Sequence, residues 1–301
     1  MAHDHQHHDH HQHHEAHGHT HTDLDWAEQG PMLEAQAELY TPAYEQAIAW
    51  LAEAVPAPEL IVDAGSGPGV VACLFAEAFP QAHVVAVDGA APLLERAQAR
   101  AEQRGLGDRF STLAGELPDV LEKLDRPVDL LWASRSLHHL GDQQAALTAF
   151  GEHLAPGGTL ALLEGGLPAR FLPRDIGIGR PGLQSRLTAL EEEWFGRMRA
   201  GLSGAVSETE DWRALLTAAG LRPTRTRSFL LDLPAPATDE ARAHVATTLT
   251  RLRDAAPDDL TPEDRTTLDR LLDPTDPAGV HHRPDVFVLD ACTIHTAVRP
   301  A

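Results

Sequence analysis

The stretch Leu60-Ile61-Val62-Asp63-Ala64-Gly65-Ser66-Gly67-Pro68-Gly69-Val70 decides the fold. An apolar run enters three closely spaced glycines and leaves as a helical pattern, so backbone N–H groups and a helix N-terminus can approach a ligand. Two ligand classes use such a turn. The dinucleotide fingerprint GxGxxG wants a small third residue, and position 70, where it would fall, is valine. What stands here instead is D-x-G-x-G-x-G. A carboxylate directly ahead of the glycines repels a pyrophosphate, but it accepts hydrogen bonds from an ammonium group. The ligand expected at this turn therefore carries a positive amine.

On either side the chain repeats the same alternation. Upstream, Leu33, Ala37, Tyr40, Tyr44, Ala47, Ile48 and Leu51 recur at helical spacing, and Thr41-Pro42 can open a second helix within that stretch. Downstream, Val84 to Val87 ends at Asp88 and is followed by a helical segment to about Arg104; Phe110 to Leu113, Val128 to Ala133 and Thr159 to Leu163 follow. Continuous apolar strands separated by helices indicate a parallel sheet covered on both faces, a doubly wound α/β domain. After Glu164 the alternation stops. Residues 167–210 read as an irregular segment and then a helix around Leu187 to Met198, with a shorter helix from Glu210 to Ala219. Two last strands are expected at Thr224 to Leu233 and Asp285 to Val298, with a mostly helical insert at 238–280 between them.

These motifs together resemble the class I, Rossmann-like S-adenosylmethionine-dependent methyltransferases, motif by motif over about residues 59–166. The resemblance implies a mostly parallel seven-stranded sheet with its last strand antiparallel, and helical insertions over the pocket. It divides residues 26–301 into a cofactor-binding core (59–166), an acceptor lid (167–222) and the insert. It also implies that Asp63, Gly65, Gly67 and Gly69 hold the methionine moiety of S-adenosyl-L-methionine. Asp88, at the end of the second strand, would meet the ribose hydroxyls, and Glu116, after the third, the adenine amine. Ser134 would end the fourth strand against the cofactor. A nucleotide-dependent oxidoreductase on the same sheet is disfavoured by Asp63 and Val70.

In open α/β sheets ligands sit beyond the C-terminal ends of the strands, which selects Arg135, His138, His139 and Glu164 as acceptor-side groups. Of these His138, His139 and Glu164 are the catalytic candidates, although methyl transfer from a sulfonium needs a base only if the acceptor holds a proton it will not lose unaided. The fourth strand is not followed by a [DNS]-P-P-[YFW] motif, which argues against adenine or amide nitrogens as acceptors. No Pro-Cys nucleophile stands there for cytosine C5 chemistry, and Cys73 and Cys292 do not form the cysteine set of arsenic methylation. A small-molecule acceptor is expected. Between Leu167 and Arg227 ten arginines face seven acidic residues, and Arg170, Arg174, Arg180 and Arg186 are offset only by Asp175. Such a local reversal of sign could receive an anionic acceptor; the alternative is that these arginines pair with Glu191 to Glu193 or with the acidic body. The resemblance also implies that the N-terminal helix closes over the cofactor, which would bring Tyr40 or Tyr44 to the site.

Composition limits the partners. With 45 acidic against 24 basic residues in 301 and a formal charge of −21, the chain lacks the cationic footprint that nucleic acid requires. No apolar run approaches the length of a membrane span, and no apolar secretory segment opens the chain, so no membrane partner is expected and the default compartment is the cytoplasm. Eleven of nineteen histidines fall between His3 and His21, in MAHDHQHHDHHQHHEAHGHTHT. Residues 1–25 carry no apolar periodicity and read as a disordered tail. Its imidazoles and carboxylates, His7, His8, His10, His11, His13 and His14 foremost, suit a divalent transition metal with no catalytic part. A metal-binding or metal-delivery protein on a methyltransferase scaffold is thus the second reading.

Overall fold

The computed structural model describes residues 26–255 and 257–301. The His-rich tail and the metal ligands expected on it lie outside the described residues. Two N-terminal helices, α1 (Trp26–Leu39) and α2 (Thr41–Ala52), precede the sheet, with Pro42 in the first turn of α2, where a missing N–H costs nothing. The core then alternates β1 (Leu60–Ala64), α3 (Val70–Ala78), β2 (His83–Asp88), α4 (Ala91–Gln103), β3 (Phe110–Ala114), β4 (Val128–Ser134), α5 (Gln143–His153) and β5 (Leu154–Arg170). The remainder is α6 (Leu183–Ala200), α7 (Trp212–Ala218), β6 (Arg222–Leu233), α8 (Asp239–Ala255), α9 (Pro262–Leu272) and β7 (Val288–Val298).

The seven strands form one sheet in the order β3-β2-β1-β4-β5-β7-β6. Neighbours from β3 to β5 are parallel, and β7 runs antiparallel to both β5 and β6. This is the doubly wound sheet with an antiparallel last strand that the sequence led us to expect. Successive side chains of a strand point to opposite faces, and the core divides accordingly. Ile61, Ala86, Trp132 and Leu163 pack toward α2, α3, α6 and α8, while Val62, Val87, Ala133 and Leu162 pack toward α5 and α7. Asp63 lies on the first of these faces, two residues from Ile61.

One boundary differs. The strand expected to end near Leu163 runs on to Arg170, so the segment from Leu167 is not irregular at its start. The extension exists because β7 is long enough to pair with it: Gly166 meets Cys292, Leu167 meets Ala291 and Arg170 meets Leu289. Its apolar content is low and contains three glycines or prolines, so the pairing partner, 120 residues away, was the missing information. In the helical insert α8 packs beside α1 and α6, and α9 packs on α8. Thr261 caps α9 by accepting from Asp264 N–H. No described helix is long and apolar enough to cross a membrane.

Candidate active site

The glycine turn is held by its neighbours on three sides. Gly65 and Ser66 donate their N–H groups to Val87 O at 2.8 and 2.9 Å, tying the turn to the end of β2. A β-carbon at Gly65 would lie 2.5 Å from Cβ of Ser136, and one at Gly69 would lie 2.4 Å from Cβ of Ala97. Both residues also have positive φ, 80° and 75°, so glycine is required twice over. Gly67 differs: nothing stands within 4 Å of where its side chain would be. That open side is where a ligand can approach the backbone.

Two buried polar atoms of this turn, Asp63 Oδ2 and Ser66 Oγ, have no hydrogen-bond partner. An unpaired buried polar group costs about 1–3 kcal/mol and calls for an explanation. Asp63 is fully enclosed, and burial first, then the charge of Asp88, pushes its carboxyl up to about 8 against a helping N–H from Ala72 in the first turn of α3. A cationic donor would satisfy it.

Asp88 holds the backbone from the other side, its two oxygens accepting from Gly67 N–H and Ala90 N–H at 2.9 Å each. Glu116 is exposed beyond β3 and its carboxylate lies beside Gly89, so Asp88 and Glu116 share one edge of the turn. Ser134 ends β4, half-buried, next to the buried Tyr44. The structure thus brings Asp63, the three glycines, Asp88, Glu116 and Ser134 to the C-terminal ends of β1 to β4, as the sequence arranged them.

The second group is assembled differently. Glu164, buried in β5, accepts from Leu137 N–H at 3.1 Å and lies 3.4 Å from Nδ1 of His138. The His138 ring is 4.1 Å from that of His139 and 5.5 Å from Phe195 on α6. Arg199, also on α6, donates to the carbonyls of His138 and Leu140 at 2.8 and 2.6 Å. The 137–140 turn is therefore clamped between β5 and α6.

A cavity of about 180 Å³ opens nearby, and neither His138, His139 nor Glu164 lines it. Its polar lining includes Tyr40, Arg135, Gln184, His244, Arg251 and Asp290, drawn from five different parts of the chain. Tyr40 donates its hydroxyl to Asp290, and burial holds its phenol well above the ordinary range, so it stays a donor. The Arg135 guanidinium covers the Tyr40 ring at 4.8 Å and touches Asp290 at 3.5 Å. Gln184 is spent on backbone: its oxygen accepts from Phe171 and Leu172 N–H, and its amide donates to Ala169 O. Arg251 is paired with Glu191 at 2.6 Å. Burial, with Arg135 second, lowers the pKa of His244, which is therefore neutral at pH 7. Asp290 and His244 escaped the sequence reading. A carboxylate inside the apolar run Val286 to Cys292 was the signal for the first; nothing marked the second.

The four lid arginines do not face the cavity. Arg186 makes a two-pronged pair with Asp264 at 2.9 and 2.6 Å, and Arg180 joins it at 3.6 Å. Among the described residues no group of three or more His, Cys, Asp or Glu side chains could hold a metal ion.

A methyltransferase domain model matches residues 61–158, which spans β1 through the turn into β5. A trans-aconitate 2-methyltransferase of Methylobacterium radiotolerans is 32% identical over 222 residues, 66% of this chain and 79% of that one. This chain belongs to the class I S-adenosylmethionine-dependent methyltransferases. The tRNA 5-carboxymethoxyuridine methyltransferase of Escherichia coli K12 is 34% identical over 124 residues, and the alignment covers 39% of this chain and about half, 47%, of that relative. In fold, a Haloferax volcanii chain solved as a candidate methyltransferase in complex with the Trm112 activator superimposes with a TM-score of 0.51 at 16% identity, over 92% of this chain and 98% of that one. A Bacillus halodurans protein solved as a candidate methyltransferase gives 0.50 at 16% identity, over 84% and 99%.

Proposed function

We propose that this chain transfers a methyl group from S-adenosyl-L-methionine to a small, carboxylate-bearing acceptor. The observation that carries the cofactor half is the buried Asp63 carboxyl at the head of a glycine turn, with one oxygen, Oδ2, left without a partner. Asp63 receives the ammonium of the methionine moiety, and the open side of Gly67 admits its backbone contacts. Asp88 turns to the ribose hydroxyls, Glu116 to the adenine amine, and Ser134 borders the cofactor from β4. When bound, the sulfonium supplies an electrophilic methyl carbon and a neutral thioether as leaving group. The protein's share is orientation, which for an in-line displacement can supply much of the rate.

The acceptor class rests on chemistry shared by the relatives' names: aconitate and 5-carboxymethoxyuridine both carry carboxyl groups. A formal charge of −21 speaks against a tRNA acceptor here. An ionised carboxylate oxygen attacks without losing a proton, so no base is demanded of His138, His139 or Glu164. In this reading they set the turn that carries Arg135 and Ser136. Calorimetry with S-adenosylhomocysteine tests the proposal first; no binding at millimolar ligand would sink it. His138→Ala, His139→Ala and Glu164→Gln should each keep cofactor affinity.

A further inference from the structure

We infer that Arg135 is the residue that anchors a carboxylate of the acceptor, in the cavity enclosed by α1, α6, α8 and the ends of β5 and β7. The inference rests on the methyl-transfer reading above and names the residue that selects the acceptor.

Arg135 is fixed where the cofactor turn and the cavity meet. Its N–H donates to Leu163 O at 3.1 Å, and the next residue, Ser136, donates its hydroxyl to Ala64 O at 2.9 Å while packing on Gly65. The backbone there is strained: Arg135 has φ of 51°, alone in positive φ among the described non-glycine residues. Such a conformation costs about 1–3 kcal/mol and persists only where surroundings impose it. It sends a long cationic side chain from the end of β4 into the cavity wall rather than along the strand axis.

The guanidinium is also the under-used cation of the cavity. Arg251 is engaged by Glu191 at 2.6 Å, whereas Arg135 has one carboxylate at 3.5 Å, already occupied by the Tyr40 hydroxyl. A guanidinium has five donors in a fork that matches a carboxylate. The Tyr40 ring covers one face, and 36% of the Arg135 side chain stays exposed. No lid arginine competes, because Arg170, Arg174, Arg180 and Arg186 stand outside the cavity. At about 180 Å³ the space is smaller than the roughly 300–1,000 Å³ of drug-sized sites. It suits a small organic acid.

The test uses the full chain, tritiated S-adenosylmethionine and a panel of small di- and tricarboxylates that includes trans-aconitate, each beside a monoamide that keeps one carboxylate to be methylated and removes another that could be anchored. Methyl incorporation should be much greater with the carboxylates than with the amides. Arg135→Gln and Arg135→Lys should each raise the KM of the best carboxylate tenfold or more while S-adenosylhomocysteine affinity stays within twofold. Arg135→Gln should also narrow the preference for carboxylate over amide, which a merely structural loss would not do. Arg174→Gln should leave KM unchanged. With cofactor bound by the wild type, an unchanged KM in both Arg135 variants, equal use of amides, or no methylation of any carboxylate in the panel would overturn the inference. Absence of cofactor binding by the wild type would instead remove the function proposed above.

Discussion

The role proposed for Asp63 makes cofactor binding a proton-linked event. With its carboxyl pushed up to about 8 by burial and by Asp88, only about a tenth of the empty protein carries the charge at pH 7. An ammonium needs the ionised form, so binding must expel about 0.9 proton per ligand at that pH. The apparent Kd for S-adenosylhomocysteine should rise about tenfold from pH 7 to pH 6 and level off above pH 8. Calorimetry at pH 7 in phosphate and in Tris, whose ionisation enthalpies differ, reads the proton directly. Asp63→Asn should release none and bind with a Kd independent of pH from 6 to 8.5. Its disadvantage should grow with pH, because the wild type first spends about 1.4 kcal/mol at pH 7 discharging its proton, against about 1.5–3 kcal/mol gained from a charged hydrogen bond. Stability moves the other way. A carboxyl whose folded pKa lies above its unfolded 3.8 destabilises the fold progressively as pH rises from about 4 to about 8. Ligand-free Asp63→Asn should therefore melt above the wild type at pH 8 and lose most of that lead by pH 5. Release of less than 0.2 proton, with equal Kd in wild type and variant, would show that Asp63 only caps α3.

Three further outcomes follow from the packing. Gly69→Ala places a methyl group 2.4 Å from Cβ and 2.8 Å from Cα of Ala97, at φ 75°; strain and overpacking of about 2–5 kcal/mol should lower Tm by roughly 5–15 °C in a thermal melt and abolish cofactor binding. Glu164→Ala leaves the Leu137 N–H without its acceptor and should cost about 1–3 kcal/mol by denaturant titration, whereas Glu164→Gln, which keeps an oxygen there, should stay near wild type. Arg186 holds the Asp264 carboxyl below the usual carboxylate range, so the pair stabilises the fold above the unfolded Asp value and the benefit is lost as pH falls through the lower folded one. Arg186→Gln should cost about 1–3 kcal/mol at pH 7, shift acid unfolding to higher pH, and leave acceptor KM alone; a raised KM would put the lid arginines back at the site.

The cofactor half of the site was legible because it is local. Asp63, the glycines, Asp88, Glu116 and Ser134 each end a strand, and parallel strands aligned side by side must bring their ends together. Sequence order therefore implied spatial order. The cavity obeyed no such rule. Tyr40 closes α1, His244 sits on α8 and Asp290 on β7, 250 residues from its hydrogen-bond partner Tyr40. Only the antiparallel return of β7 along an extended β5 brings them together, and that pairing left no periodic trace in the Gly- and Pro-containing β5 extension. The arginine cluster left two readings open for a related reason: local charge density cannot say which arginines already have partners, and Asp264, which takes two of them, lies 78 residues from Arg186.

The two halves make different demands on protons, and that separates them in a single pH profile. In the function proposed above, cofactor capture needs Asp63 ionised, so kcat/KM for S-adenosylmethionine should climb through neutrality. Chemistry on a carboxylate acceptor needs no group to change state: the acceptor is already an anion, Arg135 is permanently charged, Tyr40 stays protonated under burial and His244 stays neutral. Once both ligands are bound, kcat should run flat across the range where kcat/KM rises. An acceptor with a proton to lose would instead bend kcat, and the imidazole positioned to report it is that of His244, which lines the cavity, not those of His138 and His139, which the sequence put forward. The proposed roles thus assign proton traffic to loading the methyl donor and leave the selection of the acceptor to fixed charge and shape.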